Sequence, residues 1–202
     1  MIIRPEAKQD YYENENLTRE AFWDVYRPGC SEHLVLNKLR NADSYIPALV
    51  LVAEDGGRLV GNIAYAKMYR DNAICDEIIG FGPVSVLPEY QRQGIGSQLI
   101  EETMKTAKAM GFKAVMITGD CGYYGRFGFV PASRYGVHLE GVPLDDEAPF
   151  FMAKELEDGY LSEHGGVYSF DTAYNVTQEE LDEFEKQFPK KQKREPREGD
   201  LI

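Results

Sequence analysis

The chain has 202 residues, 43% hydrophobic and 28% charged, with a formal net charge of −12. That predicts one globular domain with a substantial core and a modest extension. The acid excess argues against nucleic acid as a partner, because a phosphate backbone needs a basic footprint, and is compatible with a cationic substrate.

In chain order, Met1–Arg4 opens as a short apolar strand closed by Pro5. Between Asp10 and Tyr26, Leu17, Ala21, Phe22 and Val25 recur at helical spacing, and Pro28-Gly29 stops the helix. Ser31 is placed to cap a second helix carrying Leu34, Val35, Leu36 and Leu39. Ala48–Ala53 reads as a buried strand, Asp55-Gly56-Gly57 as a hairpin turn and Leu59–Met68 as the returning strand. After a turn at Asp71-Asn72, Ile78–Val86 reads as a buried central strand, and Pro88 ends it. Leu99, Ile100, Met104, Ala107 and Met110 give the next helix one apolar face, and Gly111 closes it. The strand–helix–strand crossover then sets Ala114–Thr118 parallel to Ile78–Val86. A short helix is expected over Gly122–Phe127, strands over Gly136–Leu139 and Pro149–Leu156, and an added hairpin within 158–176. Thr177 with Glu180 forms a capping pattern ahead of Leu181, Phe184 and Phe188, and Pro189 ends that helix. The tail beyond it is charged and has no apolar anchor, which predicts disorder. The order of elements predicts an α/β protein, a mixed sheet with helices on both sides.

Cys30, Cys75 and Cys121 form no C-x-x-C, which points to a reducing compartment. His33, His138 and His164 have no ligand spacing, so no metal is expected. No apolar run approaches a membrane span and the N-terminus has no basic-then-apolar leader, so a cytoplasmic protein with no membrane partner is expected.

The chemistry concentrates where the central strand meets the long helix, at Gln91-Arg92-Gln93-Gly94-Ile95-Gly96-Ser97. A helix start leaves N–H groups unpaired and carries a partial positive charge. Gly94 and Gly96 lack a Cβ, so a bulky anion can approach the backbone, and a phosphate or pyrophosphate is the natural guest. Arg92 can add charge-assisted hydrogen bonds. From this motif alone, a tight strand-to-helix turn with no ligand reads equally well. No G-x-x-x-x-G-K-[ST] is present, and G-x-G-x-x-G is incomplete because Leu99 stands where the third glycine should be.

A second stretch, Gly119 to Val130, reads G-D-C-G-Y-Y-G-R-F-G-F-V. Together with V-x-V-x-P-x-x-Q-x-x-G-x-G from Val84 to Gly96, it resembles the Gcn5-related N-acetyltransferase (GNAT) superfamily, whose members move acetyl groups from acetyl-CoA to amines. Gln91, Gly94 and Gly96 match the first family motif, and Tyr124, Gly128 and Phe129 the second. The resemblance implies an acyl-CoA N-acyltransferase fold over residues 1–157, a mostly antiparallel sheet with a splayed parallel pair. Residues 158–188 are then a C-terminal extension, and 189–202 the charged tail. It further implies that acetyl-CoA is a co-substrate whose pantetheine arm passes between the splayed strands. Val84, Val86 and the N–H groups of Gln91, Arg92, Gln93, Gly94, Ile95, Gly96 and Ser97 would hold it. Gly80, Gly82 and Pro83 are consistent with the bulge that the family places in the first of those strands.

Acetyl transfer needs a deprotonated amine, an oriented carbonyl, donors for the oxyanion and a proton for the leaving thiolate. By resemblance Tyr124 supplies that proton, and a phenol stays protonated at neutral pH. Glu77 is the candidate general base, with Asp76 read as a solvated strand end. Cys121 and His138 sit in no cysteine-enzyme motif, and Arg126 reads as a surface or phosphate-facing cation. The acceptor is expected to be an amine on a small molecule or a protein, and a homodimer is left open. A protein of the same fold that binds acyl-CoA without turnover, serving as a sensor or interaction module, is the alternative.

Overall fold

The computed structural model describes residues 1–200. The N-terminal apolar run forms β1 (Ile2–Pro5), followed by α1 (Tyr11–Phe22) and α2 (Glu32–Leu39). Strands β2 (Leu51–Asp55), β3 (Arg58–Arg70) and β4 (Ala73–Val86) make an antiparallel meander. Asp71 and Asn72 turn the β3–β4 hairpin with positive φ, the conformation such a turn requires and Asx residues tolerate. Helix α3 (Ile95–Ala109) leads to β5 (Ala114–Thr118), and short α4 (Cys121–Tyr124) to β6 (Val130–Pro131), β7 (Val137–Leu139) and β8 (Phe151–Glu155). The extension holds α5 (Tyr160–Glu163), β9 (Gly166–Ser169) and α6 (Gln178–Phe184).

Alternation along β3 sorts these elements into layers, because successive side chains of a strand point to opposite faces. Gly61 meets Ile95 and Leu99, and the Tyr65 hydroxyl bonds Thr103 at 3.0 Å, so this face carries α3. Asn62 donates to the Thr18 hydroxyl, and Ala66 packs with Val35 and Leu39, so the other face carries α1 and α2. Leu99, Ile100 and Ala107 of α3 are buried as their spacing predicts. The inner face of α1 is unexpectedly polar. Asn14, Glu15, Thr18 and Arg19 are buried beside Leu17, and Glu15 pairs with Arg40, itself held by Glu6. Burying such groups is tolerated only where they are paired, and here α1 docks through ions and hydrogen bonds more than through oil.

The sheet order is β1-β2-β3-β4-β5-β8-β6. Neighbours on this path are antiparallel except β4–β5. The expected hairpin within 158–176 is replaced by a different pairing. Strand β9 joins the far end of β3, with Tyr69 opposite Ser169, and runs parallel to β7. A strand flanked by a partner from each of two distant segments leaves no local hairpin signature. Residues 190–200 form no helix or strand, yet they lie against the end of α1. Trp23 Nε1 donates to the Gln192 carbonyl at 3.1 Å, and Lys191 pairs with Glu20 at 2.6 Å. The expected disordered tail also takes in residues 201–202, which lie outside the described residues. Among the described residues no helix is long and apolar enough to cross a membrane.

Candidate active site

Strands β4 and β5 share only three paired positions, from Ile78 opposite Ala114 to Gly80 opposite Met116. Beyond them β5 continues to Thr118 on its ladder with β8, and β4 continues to Val86 on its ladder with β3. Their facing edges separate, so a crevice opens between two strands whose backbone groups there lack a ladder partner. Ile63 lies opposite Val84 and Tyr65 opposite Phe81, which sets two steps of β3 against three of β4. The extra residue is a bulge at Gly82-Pro83, where the glycines and proline had predicted one.

The crevice opens onto the start of α3. Gly94 is the N-cap, with φ of 86°, and no side chain caps the helix. Among the described residues the N–H groups of Arg92, Gln93 and Gly94 donate to nothing, and the first turn adds more free donors. A Cβ built on Gly94 would meet nothing within 4 Å, so the space in front of it is open. On Gly96 a Cβ would lie 3.2 Å from the Tyr123 hydroxyl and 3.7 Å from Val86 Cγ2. Glycine at this position keeps Val86, Tyr123 and the helix start together around the opening. Arg126 arrives from the next loop: its guanidinium stacks 4.0 Å over the Tyr123 ring and donates to the Ser97 hydroxyl at 3.3 Å. Gln91 Nε2 donates to the Val86 carbonyl at 3.1 Å and braces the loop. Arg126, free amides and a helix dipole converge beside Arg92, a donor set that suits a pyrophosphate.

Tyr124 stands at the inner wall. Its ring meets Phe81 at 5.9 Å, Phe129 at 6.0 Å and Tyr123 at 4.8 Å. Gly119 makes room for it, since a Cβ there would fall 2.4 Å from the ring. Burial pushes the Tyr124 phenol pKa up, with Tyr123 and Tyr26 adding to the rise, so the hydroxyl stays a proton-bearing donor.

The structure brings Val84, Val86, Gln91–Ser97 and Tyr124 to one crevice, but it does not bring Glu77 there. Glu77 precedes the paired stretch of β4 and β5, at the end of the strand away from the splay. Its carboxylate accepts from the Tyr160 hydroxyl at 3.1 Å, and its carbonyl accepts from Lys113 N–H. Asp76, beside it, is exposed and pairs with Lys67. Tyr26, within electrostatic reach of Tyr124, has its own pKa raised by burial and then by Glu32 and Asp120. Tyr26 comes from the loop between α1 and α2, Glu32 is the first residue of α2, and Asp120 caps α4 by accepting from Gly122 N–H at 2.9 Å. Tyr26 is one of the loop tyrosines that could line an acceptor pocket or just pack, while Glu32 and Asp120 carry no sequence signal that singled them out. Among the described residues no cluster of potential metal ligands occurs.

Comparison with known proteins places this geometry. Residues 47–131 match the family model for the acetyltransferase (GNAT) domain. The chain is 25% identical over 175 residues to the uncharacterized N-acetyltransferase YhbS of Escherichia coli K12, spanning 87% of this chain and 99% of YhbS. The likeness is to the GNAT acetyltransferases, carried by residues 47–131 and by folds that span most of the chain. It is also 33% identical over 106 residues to the uncharacterized N-acetyltransferase YjhQ of the same organism, a match spanning 52% of this chain and 59% of YjhQ. The crystal structure of YhbS in complex with CoA superposes with a TM-score of 0.76 at 26% identity, covering 87% of this chain and 92% of that one. A GNAT acetyltransferase from Brucella melitensis in complex with acetyl-CoA gives 0.68 at 29% identity, covering 86% and 97%. The stretch matched to the GNAT model holds the crevice, the α3 start and Tyr124. Tyr26, Glu32 and residues beyond 131 fall outside it.

Proposed function

We propose that this chain transfers an acetyl group from acetyl-CoA to an amine that attacks the thioester directly. The observation that carries the reading is the crevice between β4 and β5 opening onto an uncapped helix start. The complexes of YhbS with CoA and of the Brucella protein with acetyl-CoA support the donor. In this reading the N–H groups from Arg92 to Ser97, with Arg92 and Arg126, hold the pyrophosphate. The backbone of Val84 and Val86 lines the pantetheine and orients the carbonyl. Residues 1–157 are the catalytic domain, and 158–188 pack on it as an extension.

The amine nitrogen forms the new C–N bond and the C–S bond breaks. The nitrogen loses its protons to a carboxylate or to solvent. The sulfur takes one through Tyr124, which regains it from solvent. A free thiol has a pKa of about 8.5 and a phenol one of about 10, so full transfer from a phenol raised by burial runs uphill. Tyr124 therefore acts chiefly by donating a hydrogen bond to the sulfur as charge develops there. Two measurements test the proposal together. Calorimetry of acetyl-CoA binding should show one site per chain, and a thiol-release assay with a panel of amines should show turnover. Binding with no release for any amine would leave a non-catalytic acyl-CoA module instead.

A further inference from the structure

Beside the bulge of β4 lies a cavity of about 530 Å³ between the α1–α2 loop and the segment just before α6. Tyr26 and Arg27 line it from the loop, Glu32 from the start of α2, and Tyr174 and Thr177 from the extension. Tyr174 is fixed there, because its hydroxyl donates to the Gly82 carbonyl at 2.7 Å. That bond ties the cavity wall to the residue next to Phe81, against which Tyr124 packs. The loop is fixed as well. Asp24 takes a positive φ of 62° and accepts from Gly29 N–H at 2.7 Å and from Arg194 N–H at 3.1 Å.

The charges in this cavity are ordered. Glu32 spends one oxygen on the Ser31 N–H and lines the cavity together with Tyr26. Arg27 is half-buried and makes no hydrogen bond or ion pair among the described residues. In a chain of net charge −12, where Arg19 and Arg194 are paired, an unmatched guanidinium facing a cavity is a place for an anion. Cation and anion facing one small space between two tyrosine rings select a molecule carrying the complementary pair.

We propose that the acetyl acceptor is a small zwitterionic amine, one skeleton bearing both the attacking amino group and an anionic group. This rests on the transferase reading above. Glu32 receives the ammonium, and Arg27 takes the anion. A carboxylate and a phosphate ester share that chemistry. A long polyamine, which offers Arg27 only positive charge, is disfavoured by like-charge repulsion.

The test compares matched acceptors in the thiol-release assay: L-phenylalanine with phenethylamine, L-lysine with cadaverine, and β-alanine with O-phosphoethanolamine to separate carboxylate from phosphate. The anion-bearing member of each of the first two pairs should win in kcat/KM by about tenfold, the worth of one charge-assisted contact. In Arg27→Gln that preference should vanish, mostly through KM, and Arg27→Lys should restore part of it. Equal or better use of the amines without an anion overturns the proposal. So does a preference that survives Arg27→Gln, or release from none of the anionic amines. The donor reading fails separately, if calorimetry shows that acetyl-CoA does not bind the wild-type protein.

Discussion

Tyr124 and His33 are the two side chains whose environments make the sharpest demands on experiment. Tyr124 lies against Phe81 and Phe129 with its phenol pKa raised by burial. Tyr124→Phe should lower kcat by about a hundredfold, the scale of one lost donor at a developing charge, with acetyl-CoA affinity unchanged. Steady-state kinetics and calorimetry read the two effects. In the wild type, the kcat profile should show no fall from phenol ionisation near the ordinary value of about 10. His33 is fully buried, 2.8 Å by Nε2 from Glu185 and 3.6 Å by Nδ1 from the Cys30 thiol. Burial outweighs the favourable charge of Glu185 and depresses its pKa from 6.5 to about 4. The unfolded chain therefore binds a proton that the folded chain refuses, and stability falls as pH drops from about 6.5 towards 4. The full loss is about 3 kcal/mol. Denaturant titrations across that window should show a flatter slope in His33→Gln than in the wild type, after allowance for the packing that the substitution removes.

In the proposed reading, elements divide the labour between donor and acceptor. The start of α3 serves the donor, and Gly96 tests it more cleanly than Gly94. Gly94 has a positive φ, so a side chain there strains the backbone whatever it does to ligand. Gly96 is helical, and its missing Cβ is the space between Tyr123 and Val86. Gly96→Val should weaken acetyl-CoA binding by about tenfold or more while the circular dichroism spectrum is retained. Residues 189–200 serve the acceptor side at one remove. The Pro189 carbonyl accepts from Arg19, Trp23 donates to Gln192, and Arg194 grips Asp24 by its N–H and its guanidinium. The contacts to Arg19 and Trp23 hold the end of α1, and those to Asp24 hold the loop that bears Tyr26 and Arg27. Ending the chain at Phe188 should raise KM for the amine and leave acetyl-CoA affinity as it was. Equal loss on both sides would mean that the segment supports the whole domain.

Across the whole molecule, what was legible in the sequence is what local chemistry dictates. The glycine turn, the apolar stripe of α3 from Leu99 to Ala107 and the Thr177 capping box depend on neighbours in sequence, and all three stand in the structure, while Met110, expected on the same stripe, lies past the helix end and is exposed. The bulge at Gly82-Pro83 was legible for the same reason. The acceptor side was not. Tyr26, Glu32 and Tyr174 meet only because α1, α2 and the extension pack on the same face, and the polar inner face of α1 carries no apolar periodicity to announce that docking. Glu77 misled because nearness to the central strand in sequence says nothing about which end of that strand splays. Residues 158–176 misled because β9 takes both its strand partners from far along the chain.

The central claim is that main-chain donors at the splay of β4 from β5 and at the start of α3 bind acetyl-CoA. A crystal structure of the protein grown with acetyl-CoA tests it most directly. The account predicts pyrophosphate oxygens within hydrogen-bond reach of the N–H groups between Arg92 and Ser97, and the thioester beside Tyr124. Acetyl-CoA bound elsewhere, with that crevice closed by side chains, would contradict it.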